Sequence, residues 1–332
     1  MYSIKYVKDV YVQLKRIIMG QSQDCIVTLR EPYDETGDNG FILGNKYIPE
    51  ELLAEFLCHV DNKTLLNCQL VCKRWKILIH SYVWRKKAEM TLNRPHTLDT
   101  DMPWKAYYMI AKKRPFEKNL IKNHSGEYGV QKYWKIFTDG GDHWKVENPP
   151  CGVPPIPKNV SVFEKKEYCF VTSYNNCSKM QLIDLEAEGL LSYVLDVLQP
   201  TIVVSEWYSC RWDCPAHYEC TIELLRSDNK VMKTFQFHDD IEGDKQNQWL
   251  NVSYEFKDYG LGLKKISFYH GGMDKSFWAG HYGSKMAGAC VIVKIPENDE
   301  HRCEEDTDTN TDTNTDTDTD TDTDTYKSSN TD

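Results

Sequence analysis

Long apolar runs are missing from this chain. Between Met1 and Gly20 the charges of Lys5, Lys8, Asp9, Lys15 and Arg16 break up any secretory h-region, and no later stretch approaches the length of a membrane span. Also missing are a Gly-Lys-Ser/Thr loop to cradle phosphate and a Gly-x-Ser-x-Gly elbow to expose a nucleophile, which argues against the chemistry those motifs serve. A basic excess is lacking too. The 332 residues carry a formal charge of −10, but eleven acidic against two basic side chains from Arg302 to Asp332 supply −9 of it. The rest sits near −1, so there is no overall field for nucleic acid. Twelve cysteines are scattered rather than gathered into a short disulfide framework. With no signal ahead of them they are expected to be reduced, in a cytoplasmic protein, where sequons such as Asn123-His124-Ser125 and Asn251-Val252-Ser253 would not meet the glycosylation machinery.

What is present is densest between Tyr47 and Trp84. Leu52, Leu53, Phe56 and Leu57 recur at helical spacing, as do Leu66, Leu70, Trp75, Leu78 and Ile79. Pro49 suits a helix start, where its missing N–H costs nothing, and Asp61 or Asn62 can cap a second helix. Three helices this short hold a marginal core, so part of the apolar set is expected to seal against a partner. The bland alternative is a helical hairpin whose stripe is all internal core. Taken in order, Ile48-Pro49, Leu52-Leu53 and Leu70-Val71-Cys72-Lys73-Arg74-Trp75 resemble the F-box. The resemblance implies docking onto the Skp adaptor of a cullin-type ubiquitin ligase, with Ile48, Pro49, Leu52, Leu53, Leu70, Val71, Cys72 and Trp75 at or beside the interface.

The chain divides into a leader of low order at 1–46, an F-box at 47–92, a linker helix at 93–116, a sandwich at 117–296 and an acidic tail at 297–332. In the leader, Ile4, Val7, Tyr11, Leu14 and Ile18 share one helical face beside basic residues. That pattern would suit a membrane-surface or partner helix, and more simply a short docking helix or a disordered leader. The linker helix runs from Trp104 to Lys113 and must end before Pro115. Beyond Glu117 the pattern switches to short apolar runs between Gly, Pro, Asn and Asp clusters. Tyr218, Cys220, Ile222 and Leu224 alternate with polar neighbours, and Leu250, Val252, Tyr254 and Phe256 repeat the period. Further strands are expected at 201–204, through Ile266 and Phe268, and at 290–295, with 188–198 a short helix or an extended connection. The fold class is therefore α+β in separate modules: a three-helix F-box and linker helix, then an antiparallel β-sandwich of jelly-roll, galactose-binding type. The Asp-Thr repeats from Asp306 to Thr325 have no large apolar side chain and should stay disordered. They lack the Gly turn and bidentate Glu of an EF-hand calcium loop.

Between Phe268 and Gly283, large aromatics alternate with glycines, a composition that fits a loop displaying rings at the surface. An exposed Trp and Phe can stack on the apolar face of a sugar ring, although such rings are also common core plugs. Several segments resemble the F-box-associated domain of the glycoprotein-recognising F-box family. They are Asn119-Leu120-Ile121, Gly140-Gly141-Asp142-His143-Trp144-Lys145-Val146, Gln181-Leu182-Ile183-Asp184-Leu185-Glu186-Ala187-Glu188-Gly189, Val204-Ser205-Glu206-Trp207-Tyr208-Ser209, Asp258-Tyr259-Gly260 and the His270 to Gly283 loop. The resemblance implies a sandwich that, in some members, binds the inner chitobiose of high-mannose N-glycans on misfolded glycoproteins bound for ER-associated degradation. It assigns the glycan site to Tyr174, Phe277, Trp278 and Ala279, with Trp278 stacking on the sugar and Phe277 and Tyr174 flanking it. Tyr174 stands where the pattern has Phe, and Ala279 where it has Lys, which removes a donor.

Cys210, Cys214, His217 and Cys220 invite a zinc reading, but their spacing is not that of a knuckle or ribbon, and a strand through Tyr218 and Cys220 would not aim all four at one point. No metal and no cofactor is expected. Asp213, Asp239, Asp240 and Asp274 could supply glycosidase carboxylates, yet nothing in the spacing pairs them, and Asp239-Asp240 reads as a solvated turn. The expected function is that of a non-catalytic substrate receptor. Its partners would be the Skp adaptor, the cullin ligase core and N-glycosylated clients, with no nucleic acid and no membrane span. The alternatives are an adaptor reading protein surface without glycan, a stand-alone cytosolic lectin or chaperone, and a sugar hydrolase.

Overall fold

A computed structural model describes residues 42–43, 46–94, 98 and 101–296. The acidic tail and nearly all of the leader lie outside the described residues. At the leader's end, strand β1 (Ile42–Leu43) pairs with β2 (Lys46–Tyr47), a short ladder at the boundary of the stretch expected to be of low order.

Helix α1 (Glu50–His59) starts behind Pro49, with Glu50 and Glu51 in its first turn and His59 in its last, the charge order its dipole favours. The carboxylate of Asp61 caps α2 (Asn62–Cys68) by accepting the backbone N–H groups of Lys63 and Thr64 at 3.0 Å each. Helix α3 (Lys73–Leu78) continues through a π-helical turn at Ile79–Val83 into α4 (Trp84–Leu92). The linker helix α5 (Trp104–Lys113) has the predicted bounds and stops at Arg114 in a left-handed conformation. It is bonded into the head by rings. His80 stacks on Trp104 at 4.3 Å while its Nε2 meets Gln69 at 2.8 Å, and Trp84 meets Tyr108 edge-on at 5.0 Å. Burial lowers the pKa of His80, with the charge of Lys76 adding to the effect.

The strands that follow are β3 (Lys135–Asp139), β4 (Lys145–Glu147), β5 (Cys169–Val171), β6 (Cys177–Asp184), β7 (Ile202–Ser209), β8 (Ala216–Leu225), β9 (Val231–Ile241), β10 (Leu250–Phe256), β11 (Lys265–Asp274) and β12 (Lys285–Val293). They form two antiparallel sheets, ordered β10-β7-β12-β5-β4 and β3-β6-β11-β8-β9. The predicted sandwich is the fold found. Period-two alternation does the sorting: Tyr218, Cys220, Ile222 and Leu224 of β8 are buried between the sheets while their neighbours face outward.

The interlayer also holds a polar centre. Glu206 is buried and accepts from the Tyr218 hydroxyl and from His270 Nδ1, both at 2.7 Å, while Tyr208 stacks on Tyr218 at 4.3 Å and donates to Asp239 at 2.9 Å. The Lys179 amine lies in an aromatic box, 4.3 Å from the Trp144 ring and 5.1 Å from that of Trp134, and burial pushes its pKa well down.

Two expectations need correction. Gly271 and Gly272 are not loop glycines. They lie inside β11, where a Cβ on Gly272 would run into the His217 carbonyl and the Ser284 hydroxyl, so the absent side chain serves close packing of neighbouring backbones. Asp239 and Asp240 belong to β9 rather than a turn, since Tyr208 partners the first and His217 the second. Of the two alternatives for the 188–198 stretch, the short helix is found: α6 (Leu185–Glu188) stops at Gly189, and residues 192–198 are helical, ending in a π-helical turn at Val194–Leu198.

Candidate functional site

Five connections pass from one sheet to the other at the same end of the sandwich: 140–144, 172–176, 210–215, 242–249 and 275–284. They are latched together. The Ser173 hydroxyl donates to the Gly280 carbonyl at 2.7 Å and accepts from the Asp142 amide at 2.8 Å. Asp142 in turn accepts the Gly280 amide at 2.6 Å on its carboxylate, and its carbonyl accepts from His281 at 3.0 Å. The backbone amide of Lys275 donates to the Pro215 carbonyl at 2.9 Å, which ties in 210–215, and the Gln246 side-chain amide donates to the Arg211 carbonyl at 3.0 Å, which ties in 242–249.

On this frame the last connection displays its aromatics. Phe277 is a non-glycine residue at φ 59°, and the carboxylate of Asp274 holds it there by accepting the amides of Ser276 at 2.9 Å, Phe277 at 2.5 Å and Trp278 at 3.4 Å. The result is a rim on which Phe277 is 69% and Trp278 45% exposed. Tyr174 is half-buried and lies 5.5 Å from Phe277 with the rings tilted at 59°, and Trp278 meets Tyr282 edge-on at 5.5 Å. Ala279 is exposed and adds only a methyl group. The structure thus brings Tyr174, Phe277, Trp278 and Ala279 to one place. Ser173, Asp142 and Tyr282 were not singled out from the sequence. From the sequence Asp274 reads only as a carboxylate for catalysis, although its position two residues before the amide of Ser276 is the Asx-turn spacing that signals its actual task.

The helical face divides differently from expectation. Leu70 is 78% and Ile77 58% exposed, with Val71 also exposed and Pro49, Leu52 and Cys72 half-buried. Ile48, Leu53 and Trp75 are buried in the head's own core, Trp75 to 1% exposure. These three shape the surface from beneath and are not open to a partner. Beside Ile77, a groove of about 470 Å³ is lined by Lys73, Lys76, Ile77, His80, Ser81 and Trp104.

The other candidate clusters come apart. His217 points outward from β8 and Cys220 inward, and no group of three or more His, Cys, Asp or Glu among the described residues could hold a metal. Asp213 is bound by Arg211 through two contacts of 2.8 and 2.7 Å, and Asp240 by His217 at 2.9 Å and Lys275 at 3.1 Å. Both carboxyls are held below their usual pKa, mainly by those hydrogen bonds.

A short helical head bonded through α5 to an antiparallel sandwich with an aromatic rim defines an F-box protein with a second, sandwich-type module. Residues 46–89 match the F-box-like family and residues 111–293 the F-box associated region. F-box only protein 6 of Homo sapiens is 38% identical over 256 residues, covering 74% of this chain and 83% of the relative. F-box only protein 44 of Homo sapiens is 34% identical over 263 residues, covering 75% and 96%. F-box only protein 2 of Bos taurus is 36% identical over 255 residues, covering 74% and 83%. The chain belongs to the family of F-box only proteins that carry the F-box associated region. Among solved structures, TmCBM61 in complex with beta-1,4-galactotriose is similar at 13% identity and a TM-score of 0.33, over 54% of this chain and 100% of that one. That likeness is too distant to bear on function.

Proposed function

We propose that this protein is the non-catalytic substrate receptor of a cullin-type ubiquitin ligase in the cytoplasm. The head docks on the Skp adaptor through its exposed apolar residues, Leu70, Val71 and Ile77, with Pro49, Leu52 and Cys72 at the margin. The rim holds misfolded, N-glycosylated clients by their high-mannose core, with Trp278 stacking on the chitobiose and Phe277 and Tyr174 beside it. Ubiquitin transfer belongs to other subunits, and the receptor acts by raising the local concentration of its client. The observation that carries this reading is Trp278: a large indole displayed to solvent on a loop whose backbone is fixed by Asp274 and whose neighbours are latched by Ser173 and Asp142. A flat apolar ring beside hydrogen-bonding groups is the chemistry a pyranose face needs.

A second reading is favoured by Ala279. A rim without a donor at that position offers less to sugar hydroxyls and more to an apolar protein surface. Glycan-array binding of the full chain separates the two. Signal on chitobiose-containing glycans that is lost in Trp278→Ala supports the first, and an array that stays blank while clients still bind supports the second.

A further inference from the structure

The rim does not end at Trp278. Its edge-on neighbour Tyr282 carries the guanidinium of Arg211 above its ring at 4.7 Å, and Arg211 lies in the connection between β7 and β8. The next residue, Trp212, is 65% exposed. Its ring is in none of the described aromatic contacts, whereas its backbone is pinned: the amide donates to the Gly152 carbonyl at 3.3 Å, and its carbonyl accepts from Gln246 at 3.3 Å. Gly152 leaves the space in which Arg211 lies, since a Cβ there would stand 2.8 Å from the guanidinium. Arg211 and Asp213 on either side form a two-pronged ion pair with side chains 17% and 22% exposed. Each Asp213 oxygen keeps a lone pair for a hydroxyl donor.

We infer that Trp212 is a second stacking platform of the same rim and takes a pyranose of the bound oligosaccharide beyond the two sugars at Trp278. The inference rests on the glycan reading of the rim. An exposed indole on a fixed turn binds with little ordering of its own, and the carboxylate of Asp213 adjoins it in the chain as a hydroxyl acceptor. Lone exposed apolar side chains are ordinary on protein surfaces. What distinguishes Trp212 is continuity, since Trp278, Tyr282 and Arg211 touch in succession and Trp212 follows Arg211 in the chain at the same end of the sandwich.

Calorimetric titration of the full chain with chitobiose, and separately with a high-mannose N-glycan containing it, tests this. Wild type should bind the long glycan more tightly than the disaccharide. Trp212→Ala should weaken the long glycan by about fivefold or more and leave chitobiose unchanged, with Trp212→Phe keeping most of the difference. Trp278→Ala should lose both. A Trp212→Ala protein that binds the long glycan like wild type overturns the second platform alone, as does a wild type with equal affinity for the two sugars. A wild type that binds neither sugar removes the glycan reading and the platform with it.

Discussion

At the scale of single residues, Asp274 bears more on the rim than its place in the strand implies. Removing its carboxylate frees three amides and leaves Phe277 in a left-handed conformation with no local support, a cost on the order of 1–3 kcal/mol. Asp274→Ala should therefore lower thermal stability modestly and weaken glycan binding about as much as loss of a stacking ring does. Unchanged binding would show that the loop conformation is set elsewhere. His270 gives a pH signature. Burial lowers its pKa below the usual 6.5 despite the opposing pull of Glu206, and burial does the same to His124 and His80. A folded-state value below the unfolded one means that the unfolded chain binds the proton more readily. Stability is then fully present above 6.5 and is lost as pH falls through the folded values. The melting temperature should drop between about pH 7 and pH 5, above the range where carboxylates titrate. A flat profile there would contradict the neutral, buried state of these rings.

Elements were legible where one local rule decides. Pro115 ends α5, and alternation alone places Tyr218, Cys220, Ile222 and Leu224 inward on β8. Legibility failed where the cause is non-local. Gly271 and Gly272 sit between aromatics like turn residues, but the reason for them is the backbone of β6 beside the first and of β8 beside the second, which no window of sequence contains. The latch of Ser173, Asp142 and Gly280 joins three connections and leaves no local trace. In the head, a helical stripe cannot separate residues covered by their own chain from residues awaiting a partner, because both are apolar. Ile48, Leu53 and Trp75 fell on the first side and Leu70 on the second. The two classes respond differently to mutation. Trp75→Ala should destabilise the head by about 3–5 kcal/mol and lose the adaptor through unfolding. Leu70→Ala should leave the helical signal and melting temperature near wild type and still lose the adaptor. Adaptor co-purifying in full with Leu70→Ala would move the docking face elsewhere.

Over the whole molecule, the two surfaces lie on different modules joined by α5, whose rings lock it against the head. A receptor that works by proximity needs this separation, since client and adaptor must be held together without competing for one face. The charge distribution agrees: Met1 to His301 carries a formal charge near −1, so the chain ahead of the acidic tail offers no strong long-range field. The central claim is that one chain bridges adaptor and glycan. The direct measurement is recovery of the Skp adaptor on beads carrying a high-mannose glycoprotein, with the full chain added as the only link. Wild type should bring the adaptor down, Leu70→Ala should bind the beads without it, and Trp278→Ala should hold the adaptor in solution and miss the beads. Adaptor recovered equally with wild type and Trp278→Ala would contradict the account.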